Sequence, residues 1–305
     1  MIEIKVQKIS EIQGERFFAL SRGDRTFKKA VEELWERGVS KPEWCFILEK
    51  EGEVLGRLGF LSASEKTGKF KLFGLILPGE KENQKAAELL LKDSLRAMEK
   101  AGAREVIYQL HFEAGSFPEK EARLLKKAGM DERQIKLSFF LQAADFKPLE
   151  KNRLQFRAVR EVGTPFYIDL IAEVTRGTFD REDLSAVERL GAQRAAEEYF
   201  STLQKIDPSL ENWLAGFQED RAVGLVIPQI LSPGLGAINY IGVGPHFRGC
   251  GYSKDLLDRG IKNLLERDVQ EVIADIDEKN LPMEKALQNT GFVERRKIML
   301  FSCSL

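Results

Sequence analysis

A weak internal repeat constrains the fold of this chain more than any other feature. Glu105, Val106 and Ile107 are followed by a loop and an amphipathic stretch that closes at Gly129 and Met130. Glu271, Val272 and Ile273 are followed in the same way by a stretch that closes at Gly291 and Phe292. The first landmarks are offset by 166 residues and the second by 162, so one loop differs by four residues. Both copies then run into short alternating apolar segments, 135–139 and 297–301. Upstream, helical-period segments at 83–100 and 252–267 each follow a strand-like apolar run, 71–77 and 237–243. A repeat kept in this order reads as one structural unit written twice.

Each half therefore reads strand, helix, strand, helix, strand. Strand–helix–strand units of this length predict a parallel pair joined by a right-handed crossover. Hairpins are predicted before them, at 44–49 with 54–61 and at 213–218 with 222–230. The expected fold class is α+β, with two domains. Each is a mixed, mostly antiparallel sheet with a central parallel strand pair flanked by helices. A charge cluster with Pro148 interrupts the apolar pattern at 144–153, which places the domains at 1–146 and 152–305. The length of 305 residues is ample for two cores.

Composition narrows the function. Lys and Arg number 47 against 48 Asp and Glu, a balance that argues against a nucleic-acid partner. The start of the chain lacks the apolar core of a signal peptide, and no apolar run approaches membrane-spanning length. The three cysteines, Cys45, Cys250 and Cys303, are far apart, so neither a disulfide framework nor a metal site is expected, and a cytoplasmic protein is. With only His111 and His246, most histidine-based catalytic sets lack their raw material.

The second half carries a glycine loop that the first lacks. After the apolar run ending at Val243 come Gly244, Pro245, His246, Phe247, Arg248, Gly249, Cys250, Gly251, Tyr252 and Ser253, and then a helix. A glycine loop between strand and helix presents backbone N–H groups beside the positive end of the helix dipole, a ready site for phosphate oxygens. Arg248 offers a forked cationic donor. A triphosphate-binding loop needs Gly-Lys-Ser/Thr where this chain has Gly249, Cys250 and Gly251. A dinucleotide loop needs a third glycine where Phe247 or Lys254 stands.

The pattern Arg248-x-x-Gly251-x-Ser253, after a strand ending Val243-x-Pro245, resembles the acyl-CoA-binding motif of the GNAT superfamily of N-acyltransferases. The resemblance runs on through Asn280, Leu281, Pro282 and Met283 to Gly291 and Phe292, and spans about 154–305. It implies two parallel strands splayed around a pantetheine arm. Ile241 and Val243 would pair with that arm, the loop Arg248, Gly249, Cys250, Gly251, Tyr252 and Ser253 would hold the pyrophosphate, and Asn280 would contact the CoA arm. Ser253 departs from the family's usual Gly or Ala, and Cys250 occupies a variable position. The implied co-substrate is acetyl-CoA, with no metal.

Catalytic groups are less legible. The family's usual thiolate-protonating Tyr, four residues before Gly-Phe, is Leu287 here, and a common base position on the strand before the loop is Asn239. The candidates are Tyr240, Asn239 and Asp277, with Asp275 beside the last on one face of an alternating strand. Tyr240 is equally readable as packing, and the two aspartates as a solvated strand end and helix cap. His246 reads as an exposed loop residue. The segment 181–203, with Arg194, Glu197 and Glu198, reads as a charged helix with a solvated face near the acceptor side. In the first half the loop becomes Pro78, Gly79, Glu80, Lys81, Glu82, Asn83 and Gln84, whose carboxylates would repel a pyrophosphate. That copy is expected to be architectural, without CoA. The resulting expectation is an N-acyltransferase moving acetyl from acetyl-CoA to a primary amine of a small molecule or protein. A non-catalytic acyl-CoA-binding regulatory module and a transferase of longer acyl chains are the alternatives.

Overall fold

A computed structural model of the chain describes residues 4–10, 14–21, 24–62, 64–78, 84–113 and 115–305. Residues 79–83 of the expected acidic loop of the first half lie outside the described residues. The chain forms two compact units, Met1–Arg133 with Met299–Leu305, and Gln134–Ile298.

The first unit contains β1 (Ile4–Lys8), α1 (Gly14–Phe18), α2 (Arg25–Glu36), β2 (Ser40–Lys50), β3 (Glu53–Leu61), β4 (Lys69–Ile76), α3 (Gln84–Lys100), β5 (Glu105–Glu113) and α4 (Glu119–Lys127). Its strands run in the order β1-β2-β3-β4-β5. All neighbours are antiparallel except β4 and β5, which are parallel. The 44–49/54–61 hairpin is thus β2 and β3. Phe17, Val31, Cys45 and Ile47 are buried together in one core of this unit.

Chain order continues with β6 (Asp131–Gln142), β7 (Gln155–Ala158), α5 (Val159–Val162), α6 (Thr164–Thr175), α7 (Arg181–Leu190), α8 (Ala192–Gln204), β8 (Leu214–Gln218), β9 (Arg221–Ser232), β10 (Leu235–Val243), α9 (Tyr252–Leu265), β11 (Glu271–Asp277), α10 (Leu281–Asn289) and β12 (Val293–Ser304). In the second unit the strand order is β6-β11-β10-β9-β8-β7, with β10 and β11 the parallel pair. The charged segment 181–203 is two helices, not one. Gly191, at φ 78° and ψ 155°, ends α7 and begins α8, a backbone conformation that only glycine adopts readily.

The repeat is visible in the hydrogen bonds. In the first unit Lys69, Phe70 and Lys71 pair with Glu105, Val106 and Ile107. In the second, Leu235, Gly236 and Ala237 pair with Glu271, Val272 and Ile273. All six positions are offset by 166 residues, and in each unit the parallel pairing stops after three residue pairs. The entry turns match too. Arg104 and Glu105 both donate to the Gly68 carbonyl, as Gln270 and Glu271 donate to Gly234.

The unit limits differ from the expected 1–146 and 152–305 because the closing strands of the two halves are exchanged. β6 follows α4, yet residues 136–142 pair antiparallel with β11. The end of the chain belongs to the first unit, where Leu305 N–H donates to the Arg104 carbonyl. The register explains why β6 is held in the second unit. Leu137, Phe139 and Leu141 point from β6 into a core with Leu256, Leu257 and Val272, at the period-2 spacing that puts alternate residues on one face.

Phe139 is fully buried there. Phe139→Ala is expected to destabilise the second unit by about 3–5 kcal/mol. The check is amide hydrogen exchange, which should accelerate in α9 and stay unchanged in α3. Unchanged exchange in α9 would remove β6 from that core.

Candidate functional site

All of the site lies in the second unit. Past the Ala237–Ile273 pair, β10 no longer bonds to β11, although both strands continue. On its other edge β10 stays paired to β9 as far as Val243. A register shift leaves Asn239 unpaired between Ile238, opposite Pro228, and Tyr240, opposite Ile227. Pro228 has no N–H to give the ladder, so it fits beside such a bulge, and the bulge re-aims the strand at the edge of the opening.

A cavity of about 370 Å³ occupies the opening. Ile241, Val243, Arg248, Gly249, Gly251, Tyr252, Ser253 and Asn280 all line it. Eight of the nine residues expected to bind the co-substrate are therefore brought together. Cys250 is exposed and outside the lining. His246 is exposed and lines no described cavity. Val174, Thr178, Phe179 and Met283 add apolar and small walls that the motif did not signal.

Gly249 and Gly251 both sit at φ 78°, in the left-handed region that glycine tolerates and branched residues do not. Gly251 is the N-cap of α9, and no side chain caps the first turn. The free N–H groups of that turn carry the positive end of the helix dipole. The loop is held from outside by Arg153. Its Nε donates to Asp255 at 3.0 Å, its Nη1 to the Cys250 carbonyl at 3.1 Å, and its guanidinium lies over the Tyr252 ring. Tyr252 in turn donates its hydroxyl to Gln218 at 2.8 Å.

Arg248 acts differently from the phosphate donor expected of it. Its guanidinium donates to the carbonyls of Val174 at 2.9 Å, Arg176 at 2.7 Å, Gly177 at 3.1 Å and, through Nε, Val243 at 3.1 Å. The first three carbonyls are acceptors at the C-terminus of α6 and the turn beyond it, and the fourth ends β10. The arginine ties the glycine loop to the segment leading into α7. Asn280 is also committed. Its Oδ1 accepts from Met283 N at 3.3 Å and caps α10, so its side chain lines the cavity while starting the helix.

A second cavity, about 490 Å³, shares Val174, Thr178, Ile241, Asn280 and Met283 with the first. Tyr240 and Asn239 both line it. Tyr240 Oη lies 2.8 Å from Thr175 Oγ1 and 3.4 Å from Asp183 Oδ2, and its ring is 4.8 Å from that of Tyr199. Asn239 donates to Gln229, which leaves its side chain fixed. Asp183 was missed in the sequence, where nothing separates it from Asp180 and Glu182 on the same helix. Burial pushes its carboxyl up to about 7, reinforced by Asp180 and opposed by Lys136 and the Tyr240 hydroxyl. Burial likewise raises the Tyr240 and Tyr199 phenols, with Asp183 adding to both.

Asp277 is not part of this group. It is fully buried and outside both cavity linings. Its carboxylate accepts from Arg181 Nε at 2.8 Å, Gln134 Nε2 at 2.8 Å and Lys279 N at 2.8 Å. Burial opposes its charge, but these donors outweigh burial and hold the carboxyl below the ordinary aspartate range. It is the anchor that joins α7, β6 and the start of α10. Asp275 keeps the strand alternation, is exposed and lines the second cavity. Leu287 is buried and lines that cavity as an apolar wall.

Residues 179–292, all within the second unit, match the profile of the Acetyltransferase (GNAT) family. Over its whole length the chain is similar in fold to a GCN5-related N-acetyltransferase from Sphaerobacter thermophilus. That match has a TM-score of 0.63 and 16% identity, and covers 99% of this chain and 95% of that one. It is also similar to a tandem GNAT protein from the clavulanic acid biosynthesis pathway (TM-score 0.52, 11% identity, 100% and 98% covered). A third is a GNAT-family acetyltransferase from Colwellia psychrerythraea (TM-score 0.52, 14% identity, 98% and 100% covered). No curated protein matches the chain significantly. Among the described residues no helix is long and apolar enough to cross a membrane.

Removing Arg181 leaves the Asp277 charge buried with fewer donors, so Arg181→Met is expected to cost roughly 3–5 kcal/mol. The wild-type pair contributes fully above the ordinary aspartate pKa of about 3.9 and fades as pH falls toward the lower folded value. Denaturant unfolding at neutral and acidic pH checks both. The difference between variant and wild type should shrink as the solution is acidified.

Proposed function

Starting from the GNAT family match at 179–292, we propose that this protein is an acyl-CoA-dependent N-acyltransferase. It transfers acetyl from acetyl-CoA to a primary amine of a small molecule or protein by direct attack. The observation that carries this reading is the cavity bounded on one side by the opened β10 edge and on another by the uncapped, glycine-bearing start of α9. An extended amide-containing arm fits an unpaired strand edge, because strand addition satisfies main-chain donors and acceptors. A pyrophosphate fits the free N–H groups of a helix start. Bound acetyl-CoA supplies a thioester with a good leaving group.

The protein's own part is then positional. The β10 edge aligns the arm, the loop fixes the phosphates, and the shared walls Val174, Ile241 and Met283 keep water from the junction of the two cavities. In this reading a backbone amide of the β10 bulge, where Asn239 has no ladder partner, would stabilise the oxyanion. The anion site is made of backbone amides, so the near-neutral net charge of −1 is no obstacle. In this reading the first unit is architectural and binds no CoA, as its expected loop is acidic.

A non-catalytic acyl-CoA sensor is favoured by one observation, the buried Leu287 at the position of the family's usual acid. A CoA thiolate departs without strong acid assistance, so the transferase reading stands ahead. The two are separated by calorimetry with acetyl-CoA and by thiol release over a panel of amines. Binding with release supports the transferase, and binding without any release supports the sensor. Gly251→Val, which forces a branched residue to φ 78°, is expected to weaken acetyl-CoA binding at least ~10-fold, or about 1.4 kcal/mol. Unaltered affinity would remove the loop from the site.

A further inference from the structure

The second cavity adjoins the first and shares five lining residues with it, so an occupant sits beside the opened part of β10. Its charged lining is lopsided. Asp180, Glu182, Asp183 and Asp275 face a single cation, Lys136, which is paired to Glu182. Asp180 is spent as the N-cap of α7, accepting from Glu182 N and Asp183 N. Asp183 has a different environment. It is half-buried on the inner side of α7, and its Oδ2 faces the Tyr240 hydroxyl at 3.4 Å. The second wall is aromatic, with the tilted rings of Tyr199 and Tyr240, a surface suited to a cation. Asp275 lines the same cavity from β11.

Resting on the transferase reading above, we propose that this cavity takes a small aliphatic amine bearing a second positive charge, and that Asp183 is the catalytic base that deprotonates it. The Asp183 carboxylate takes one proton from the acceptor ammonium. The freed nitrogen pair forms the C–N bond to the thioester carbonyl carbon, and the C–S bond breaks with its electron pair leaving on sulfur. The remaining surplus proton on nitrogen passes to that sulfur, and Asp183 returns its own proton to water. The products are the amide, the CoA thiol and one released proton. Tyr240 is placed to orient Asp183. Its hydroxyl lies between Asp183 and Thr175, whose own hydroxyl donates to the Ile171 carbonyl at 2.7 Å.

The groups facing Asp183 set its pH response. Asp180 and Glu182 on its own helix disfavour its charge, while Lys136 on β6 and Tyr240 on β10 favour it. Tyr199 on α8 and Asp275 on β11 complete the lining. With the carboxyl raised to about 7, it is ionised and competent as a base above that pH, and protonated below it.

The test uses the full chain, acetyl-CoA, and two acceptors of equal carbon number, 1,4-diaminobutane and 1-aminobutane. The expected result is thiol release from the diamine with kcat/KM at least ~10-fold above that of the monoamine, falling on acidification through about 7. Asp183→Asn should lower kcat/KM for the diamine by about 10²–10⁴-fold and abolish that acid limb. Acetyl-CoA affinity by calorimetry should be unchanged, which also shows the variant is folded. A variant that keeps the wild-type rate and acid limb overturns the proposal. So do equal rates for the two amines, or binding of acetyl-CoA with no thiol release from either. Failure of the wild-type protein to bind acetyl-CoA is a different outcome, and overturns the transferase reading itself.

Discussion

The parting of β10 from β11 after three residue pairs is the constraint on which the rest of the second unit depends. A parallel pair that stayed zipped to Val243 would bury its ladder and leave no edge for a ligand. Stopping at Ala237 and Ile273 exposes one side of β10 while β9 holds the other. The bulge at Asn239 adds the twist that carries the strand into the glycine loop. Both cavities follow from this one interruption, because each is walled by the freed part of β10.

An interrupted ladder needs other ties, and the structure supplies them as charged side chains on backbone carbonyls and buried carboxylates. Arg248 closes the loop onto the end of α6, Arg153 holds it to α9 through Asp255, and Arg181 fixes α7 to Asp277. All three arginines replace sheet pairing with forked donors whose geometry is set by the planar guanidinium. The Arg248 contact also links the two cavities of the site. The residue that would be read as a phosphate ligand positions the turn that leads to Thr178, Phe179 and Asp183. Loop and α7 side of the second cavity are therefore tied together.

Much of this was legible in the sequence because it is local. The strand–helix alternation, the parallel pairs at Glu105 and Glu271, and the loop glycines are all set by short-range periodicity and backbone freedom. Eight of the nine expected co-substrate residues converge on one cavity for the same reason, since a strand end, a loop and a helix start are contiguous in the chain. What was not legible depends on long-range partners. Asp275 and Asp277 look equivalent on an alternating strand, yet the strand's last residue turns inward to Gln134 and Arg181, which lie 143 and 96 residues away. Asp183 is indistinguishable from its acidic neighbours until Tyr240 is folded against it. Arg248 looks free until the C-terminus of α6 is in place. The 181–203 helix broke at Gly191, a local signal that its charge pattern masked.

The exchange of closing strands gives a physical reason for a first copy without a glycine loop to persist. Residues 134–142 are encoded in the first half of the repeat but are counted in the second unit. Pairing with them is what closes the β11 edge, which would otherwise present a row of unsatisfied N–H and C=O groups. Phe139 and Leu141 fill the core beneath α9, the helix that the glycine loop leads into. Lys136 stands in the lining of the second cavity, and Gln134 is one of the donors that hold Asp277. A chain cut at the sequence boundary near 144–153 would keep the loop, the opened strand and the acidic α7. It would lose the strand that covers β11 and the donor that stabilises its last carboxylate. The second unit is thus built partly from residues of the first half. The first half keeps this structural share in the second unit whether or not it carries a glycine loop of its own.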